Sequence, residues 1–221
     1  MTSVHSVDSL GNERGLLSPL VLTRAALVIT GCIGCGSGGP EAPMGMGESG
    51  AGGSAGAPPS ECNVMLEESL PTSALHLLAC SATSYTTNPP SGGDHYGMWA
   101  AFQSYDFPVP EGFLVHALEH GALVFWYSCL DGCPDEVATV EAFIASLPED
   151  PLCDPFGVPR RVILTPSATL RSRWAASSWG YALTADCFEE ASFRDFYTEH
   201  YGEGREPLCN PGQAFTANPC P

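Results

Sequence analysis

Two histidines and a glutamate in the run Val115-His116-Ala117-Leu118-Glu119-His120-Gly121 are the residues of this chain best suited to chemistry. On a helix, His116, Glu119 and His120 stand at i, i+3 and i+4 on one face, about 5–6 Å apart at Cβ, close enough for two imidazoles to share a metal ion. On a strand the histidines would lie roughly 13 Å apart at about 3.3 Å per residue. Local punctuation favours the helix. Pro110 can open it, since proline in the first turn loses no needed donor, and Gly121 can close it in the left-handed C′ position. Leu114, Val115 and Leu118 then form an apolar face, opposite the face of His116, Glu119 and His120. Neutral imidazole is the commonest metal ligand, and a nitrogen-rich set with one carboxylate suits zinc, copper or iron.

A loop histidine, His95, can complete the set, with His76 as an outer candidate. His95 lies in Tyr85 to Tyr96, where Pro89, Pro90, Gly92 and Gly93 forbid a helix or central strand. Two other chemistries compete. His116-x-x-Glu119-His120 matches the H-x-x-E-H pattern of inverted zinc peptidases, in which the glutamate activates water; Glu119 is then the catalytic candidate. The apolar run that follows Gly121 leaves no room for a long active-site helix. The alternative to any metal is a structural or interaction domain whose histidines bond internally.

The elements that must position these residues follow from periodicity. Ala122 to Ser128 reads as a buried strand, and Asp135 to Leu147 as a helix, with Val137, Val140, Phe143, Ile144 and Leu147 at helical spacing. Arg161 to Thr165 and Trp179 to Thr184 read as strands, Leu170 to Ser178 as helical, and Glu189 to Tyr201 as a last helix. The expected fold class is an α/β or α+β two-layer sandwich in a single disulfide-reinforced domain.

The chain has 221 residues, with 25 acidic groups against 8 basic ones, all arginine, and a net charge of −17. That balance argues against a nucleic-acid or anionic-lipid surface, both of which need clustered cations. Ten cysteines spread through the sequence fit an oxidising compartment. Arg14 and Arg24 precede the short apolar core Ala25 to Ile29, and Ile29-Thr30-Gly31-Cys32 resembles the lipobox of bacterial lipoproteins. The expected organisation is a lipoprotein-type signal peptide over 1–31, lipidation (palmitate included) on Cys32, and a Gly/Ala/Pro/Ser-rich tether over 32–60. Cys35 is the alternative anchor. The tether's composition cannot offset the entropy of ordering it. The globular domain occupies 61–221, held by its lipid at a bacterial outer membrane or cell surface. Of the 105 pairings open to its eight cysteines, proximity favours Cys62–Cys80, Cys129–Cys133, Cys153–Cys187 and Cys209–Cys220.

The motifs Asn88-Pro89-Pro90-Ser91-Gly92-x-x-His95, Trp99, Tyr105, Pro108, Pro110-Glu111, Val115-His116-x-Leu118-Glu119-His120-Gly121 and Tyr127 occur in this order. They resemble domain of unknown function family 3105 over about residues 75–210. The resemblance implies an exported or membrane-attached domain and no assigned reaction. Gly93-Asp94 stands where a single residue usually precedes the histidine. A shorter likeness covers Ala122 to the helix after Cys129-Leu130-Asp131-Gly132-Cys133-Pro134. It resembles the strand–C-x-x-x-C-P–helix unit of thioredoxin-like copper chaperones, which would use Cys129, Cys133 and a distant histidine, His200. A structural disulfide is the plainer reading of that pair.

Overall fold

The computed structural model describes residues 62–129 and 132–220. The stretches expected to be a signal peptide (1–31) and a tether (32–60), with Cys32 and Cys35, lie outside the described residues.

The central sheet follows the order β1-β7-β6-β4-β5, with β1 at Met65–Glu68, β4 at Leu123–Tyr127, β5 at Val162–Pro166, β6 at Trp174–Ser178 and β7 at Tyr181–Ala185. Only β4 and β5 run parallel; the other neighbours are antiparallel. Side chains alternate across β4, so one strand serves two cores. Leu123 and Phe125 enter a cluster with Val140, Phe143, Phe193 and Phe196. These last four come from α2 (Pro134–Ser146) and α3 (Glu190–His200), which with the sheet make a two-layer α+β sandwich. Val124 and Trp126 point the other way, into a cluster with Leu114, Val115, Leu118 and Trp179. That second face is closed by α1 (Glu111–Glu119) and by irregular segments around it.

Three of the proposed helices and three of the strands occupy the expected stretches to within a few residues. Leu170 to Ser178 does not: it carries β6 rather than a helix. All five residues of β6 are buried, so the strand has no polar alternation to reveal it, and Ala175-Ala176 imitates a helical run. A second, two-stranded sheet pairs β2 (His76–Leu77) with β3 (His95–Tyr96) in parallel. It lies beside α1, where Gly112 lets the Tyr96 ring approach: a Cβ there would stand 2.7 Å from ring carbons.

Four disulfides brace the fold, and three pair differently from the proximity expectation. Cys62 joins Cys187, Cys80 joins Cys220, Cys153 joins Cys209, and Cys129 joins Cys133. The Cys62 pairing has a plain cause. Carrying the antiparallel register back from Met65↔Thr184 brings residue 62 opposite residue 187. Cys80 and Cys209 are instead met by the tail and by the turn at Pro151–Phe156, contacts that sequence proximity does not encode. Cys129–Cys133 spans only four positions, so it removes little entropy from the unfolded chain. Its replacement by two alanines is expected to cost about 2 kcal/mol in urea unfolding.

Candidate metal centre

Helix α1 is built to end beneath the site. Its last turn closes in a Schellman motif, with Ala122 N–H donating to Ala117 C=O (3.0 Å) and Gly121 N–H to Leu118 C=O (2.9 Å). Gly121 takes φ +78° there, and a Cβ would collide with Arg161 Nη1 at 2.6 Å and Gly202 O at 2.9 Å. Both requirements select glycine. The segment after α3 then lies along the helix end: Gly202 N–H donates to Gly121 C=O, and Glu206 N–H to Glu119 C=O, each at 3.0 Å. Arg161 Nη1 donates to His120 C=O at 2.6 Å and its Nη2 meets Asp150 at 2.8 Å. Nearly every residue of α1 is consequently buried, its polar face included.

Over that polar face the β2–β3 register sets His76 directly beside His95. Asp94 fastens the pair, its Oδ1 accepting from Leu75 N–H at 2.9 Å and from the Ser73 hydroxyl. The residue that lengthens the loop before His95 therefore ties β2 to β3. Ligand atoms of His76, His95, His116 and Glu119 all lie within 4.8 Å of one another. The imidazole rings of His76, His95 and His116 are mutually 4.7–4.9 Å apart between centroids.

Hydrogen bonds fix which nitrogens are available. Carbonyl oxygens can only accept, so each partner nitrogen below carries the proton. His95 Nδ1–H donates to Gly93 C=O (2.8 Å), His116 Nδ1–H to Tyr96 C=O (2.6 Å) and His120 Nδ1–H to Glu206 C=O (2.9 Å). Metal-ligating histidines are held in this way by their second nitrogen. The neutral rings then present Nε2 as a lone pair. Burial pushes the His95 proton affinity down, and that of His116 down to about 3, against the backbone bonds that favour protonation.

His95 Nε2 is fully buried and lies 3.1 Å from Glu119 Oε2, yet forms no hydrogen bond. With Nδ1 protonated, both atoms are acceptors, so two acceptors lie close together at a buried position with no proton between them. A proton or a cation between them would turn repulsion into attraction. Two further imidazoles converge on that spot, which suits a metal ion. Four-coordinate zinc at about 2.0–2.1 Å from its ligands needs donor atoms roughly 3.4 Å apart, a modest contraction of the 4.8 Å envelope.

Not all of the expected set comes together. His116, Glu119 and His95 do; His120 stands outside the group, and the outer candidate His76 takes its place. The helix ends at Glu119, and His120 is its C-cap at φ −84°, ψ 12°, with its ring turned to Glu206 and packed 4.5 Å from the Trp99 ring. Its buried Nε2 has no partner. Peptidase geometry would need the reverse: both helix histidines ligating and the glutamate standing off. His200 stacks on Tyr181 at 4.1 Å. Sequence reasoning missed Arg205, whose Nη1 lies 3.8 Å from Glu119 Oε1; no motif marks it.

The buried neutral imidazoles carry a pH signature. A histidine depressed on folding stabilises the fold above its unfolded value of about 6.5. That contribution is lost as pH falls towards the folded value, about 3 for His116. Urea midpoints of the metal-free protein should therefore drop steadily from pH 7 to pH 5, with a slope up to about 1.4 kcal/mol per pH unit for each such imidazole. Asp150 titrates below that window. Burial raises its carboxyl, but bonds from Tyr201, Leu152 N–H and Arg161 outweigh burial and hold it low.

Fold and site together define a disulfide-braced α+β domain carrying a cluster of three histidines and a glutamate, exposed at His76 and buried at the other three, that could hold a metal. Residues 76–214 match the family described as Protein of unknown function (DUF3105), and the chain belongs to that family. No curated protein and no solved structure matches it.

Proposed function

We propose that this protein binds a transition metal ion, zinc, copper or iron, through His76, His95, His116 and Glu119, in an extracytoplasmic domain tethered to the membrane by a lipid on Cys32. The observation that carries the metal reading is the buried, acceptor-to-acceptor contact between His95 Nε2 and Glu119 Oε2 at 3.1 Å. A buried polar pair left in that state costs about 1–3 kcal/mol, and a cation removes the cost. Three neutral imidazoles and one carboxylate leave a doubly charged ion with a net charge of +1, a donor set that favours borderline metals over calcium or magnesium. The four disulfides accord with an oxidising compartment, as does the lipobox-like Ile29-Thr30-Gly31-Cys32 run.

Elemental analysis of the purified full chain, beside a His95→Ala/His116→Ala variant, tests the proposal. About one metal per chain in the wild type, lost in the variant, is the expected result. A folded wild type without metal after exposure to zinc, copper(II) and iron(II) would overturn it. Mass spectrometry of the membrane fraction checks the anchor: a diacyl or triacyl adduct on Cys32 is expected, and an unmodified chain beginning before residue 32 contradicts it.

A further inference from the structure

We infer that the centre takes a small oxyanion as its outer ligand, seated beside Glu119 within reach of the metal and of Arg205; this rests on the metal reading above. The two oxygens of Glu119 face different groups. Oε2 looks towards His95 Nε2 at 3.1 Å and His76 Nε2 at 3.6 Å, while Oε1 looks towards Arg205 Nη1 at 3.8 Å. Glu119 itself is buried, with a side chain 5% exposed, whereas the His76 and Arg205 side chains are 54% and 56% exposed. Glu119 is therefore flanked by one exposed imidazole of the cluster and one exposed guanidinium.

Arg205 is not at this spot by the accident of a loose side chain. Its neighbours pin its backbone to the end of α1: Glu206 N–H donates to Glu119 C=O at 3.0 Å. Gly204 packs so tightly that a Cβ would stand 2.3 Å from Glu119 O. The guanidinium nevertheless stops short of hydrogen-bond distance from the carboxylate. It is held there at ion-pair range, and its donor fork matches an incoming carboxylate or phosphate in two parallel bonds. Zinc can add a fifth ligand to four from protein, and copper or iron commonly does. A chain of net charge −17 repels anions as a whole, so a cation at the mouth lowers the local barrier to one.

The full chain loaded with cobalt(II) gives a visible absorption band that reports the metal's outer ligand. Titration with inorganic phosphate and, separately, acetate should shift the band saturably in the wild type; the anion that binds tighter identifies the phosphoryl or carboxylate class. Arg205→Gln should weaken that binding about tenfold, equivalent to about 1.4 kcal/mol, at unchanged cobalt stoichiometry, and Arg205→Lys should fall between. Equal affinities in wild type and Arg205→Gln, or no band shift with either anion, overturns the oxyanion site alone. Failure of the wild type to take up cobalt overturns the metal centre and this site with it.

Discussion

Zinc or copper(II) at about a thousand times its dissociation constant raises the stability of the metal-free protein by about 4 kcal/mol. For a chain of this size that is a rise in melting temperature of roughly 8–16 °C. The His95→Ala/His116→Ala variant shows no rise. Calorimetry at several metal concentrations measures it, and an equal rise in both proteins would show that the ion binds elsewhere. The same contact yields a result of opposite sign. Glu119→Gln places an amide donor beside His95 Nε2, so the metal-free variant gains a hydrogen bond and should be about 1 kcal/mol more stable than wild type. Its metal affinity should fall by more than about 100-fold, since an anionic ligand is lost, a larger change than the ~10–100-fold typical of outer partners. Opposite signs in one substitution are hard to obtain from a purely structural cluster, where removing a carboxylate would only loosen the fold.

Arg161→Met is the second large effect, expected to cost about 3–5 kcal/mol in urea unfolding. Arg161 is buried, pairs with Asp150 at 2.8 Å, donates to His120 C=O at 2.6 Å, and its backbone N–H meets the Tyr201 hydroxyl. Methionine keeps most of the volume but strips the Asp150 carboxylate of its guanidinium and leaves His120 C=O only the Leu208 N–H bond, at 3.4 Å. Tyr201 would still bond Asp150, at 2.7 Å, which limits the loss to this range. The double variant Arg161→Met/Asp150→Leu should recover much of the stability, because replacing both members of a buried pair is far less costly than removing one. Metal affinity should stay reduced in the double variant, since His120 C=O beside Glu119 keeps only the longer bond from Leu208 N–H, at 3.4 Å. Full recovery of both quantities would show that Arg161 serves the ion pair alone.

How much of this could be read from residue order differs by element. Helix α1 was legible because its ends are marked chemically, by Pro110 and by a glycine that the Schellman turn requires. Strand β4 was legible because five large residues follow that glycine without a break. Strand β6 was not, since burial on both faces erases the period that distinguishes a strand. Within the site, His116 and Glu119 follow from helical spacing. His120 satisfies the same spacing yet falls one residue beyond the regular helix, where the backbone turns it towards Glu206. His76 is brought in by parallel pairing with His95, and Arg205 by a segment that crosses the helix end. Both are long-range contacts, and spacing along the chain carries no trace of them. The disulfides fail for the same reason, with separations of 125 and 140 residues where proximity preferred short loops.

The walls of the histidine cluster are gathered from both ends of the domain. Leu75 and His76 form one side, the segment up to Leu208 closes another, and the Cys80–Cys220 bridge fastens the tail just beyond the strand that carries His76. A polypeptide appears from the ribosome amino end first, so His76 emerges some 130 residues ahead of Glu206, whose carbonyl orients His120. Until that late segment arrives, the end of α1 lacks its backbone partners and Glu119 lacks Arg205. Truncation between residues 120 and 208 therefore leaves all four candidate ligands in the chain and removes the segment that bonds to the end of α1.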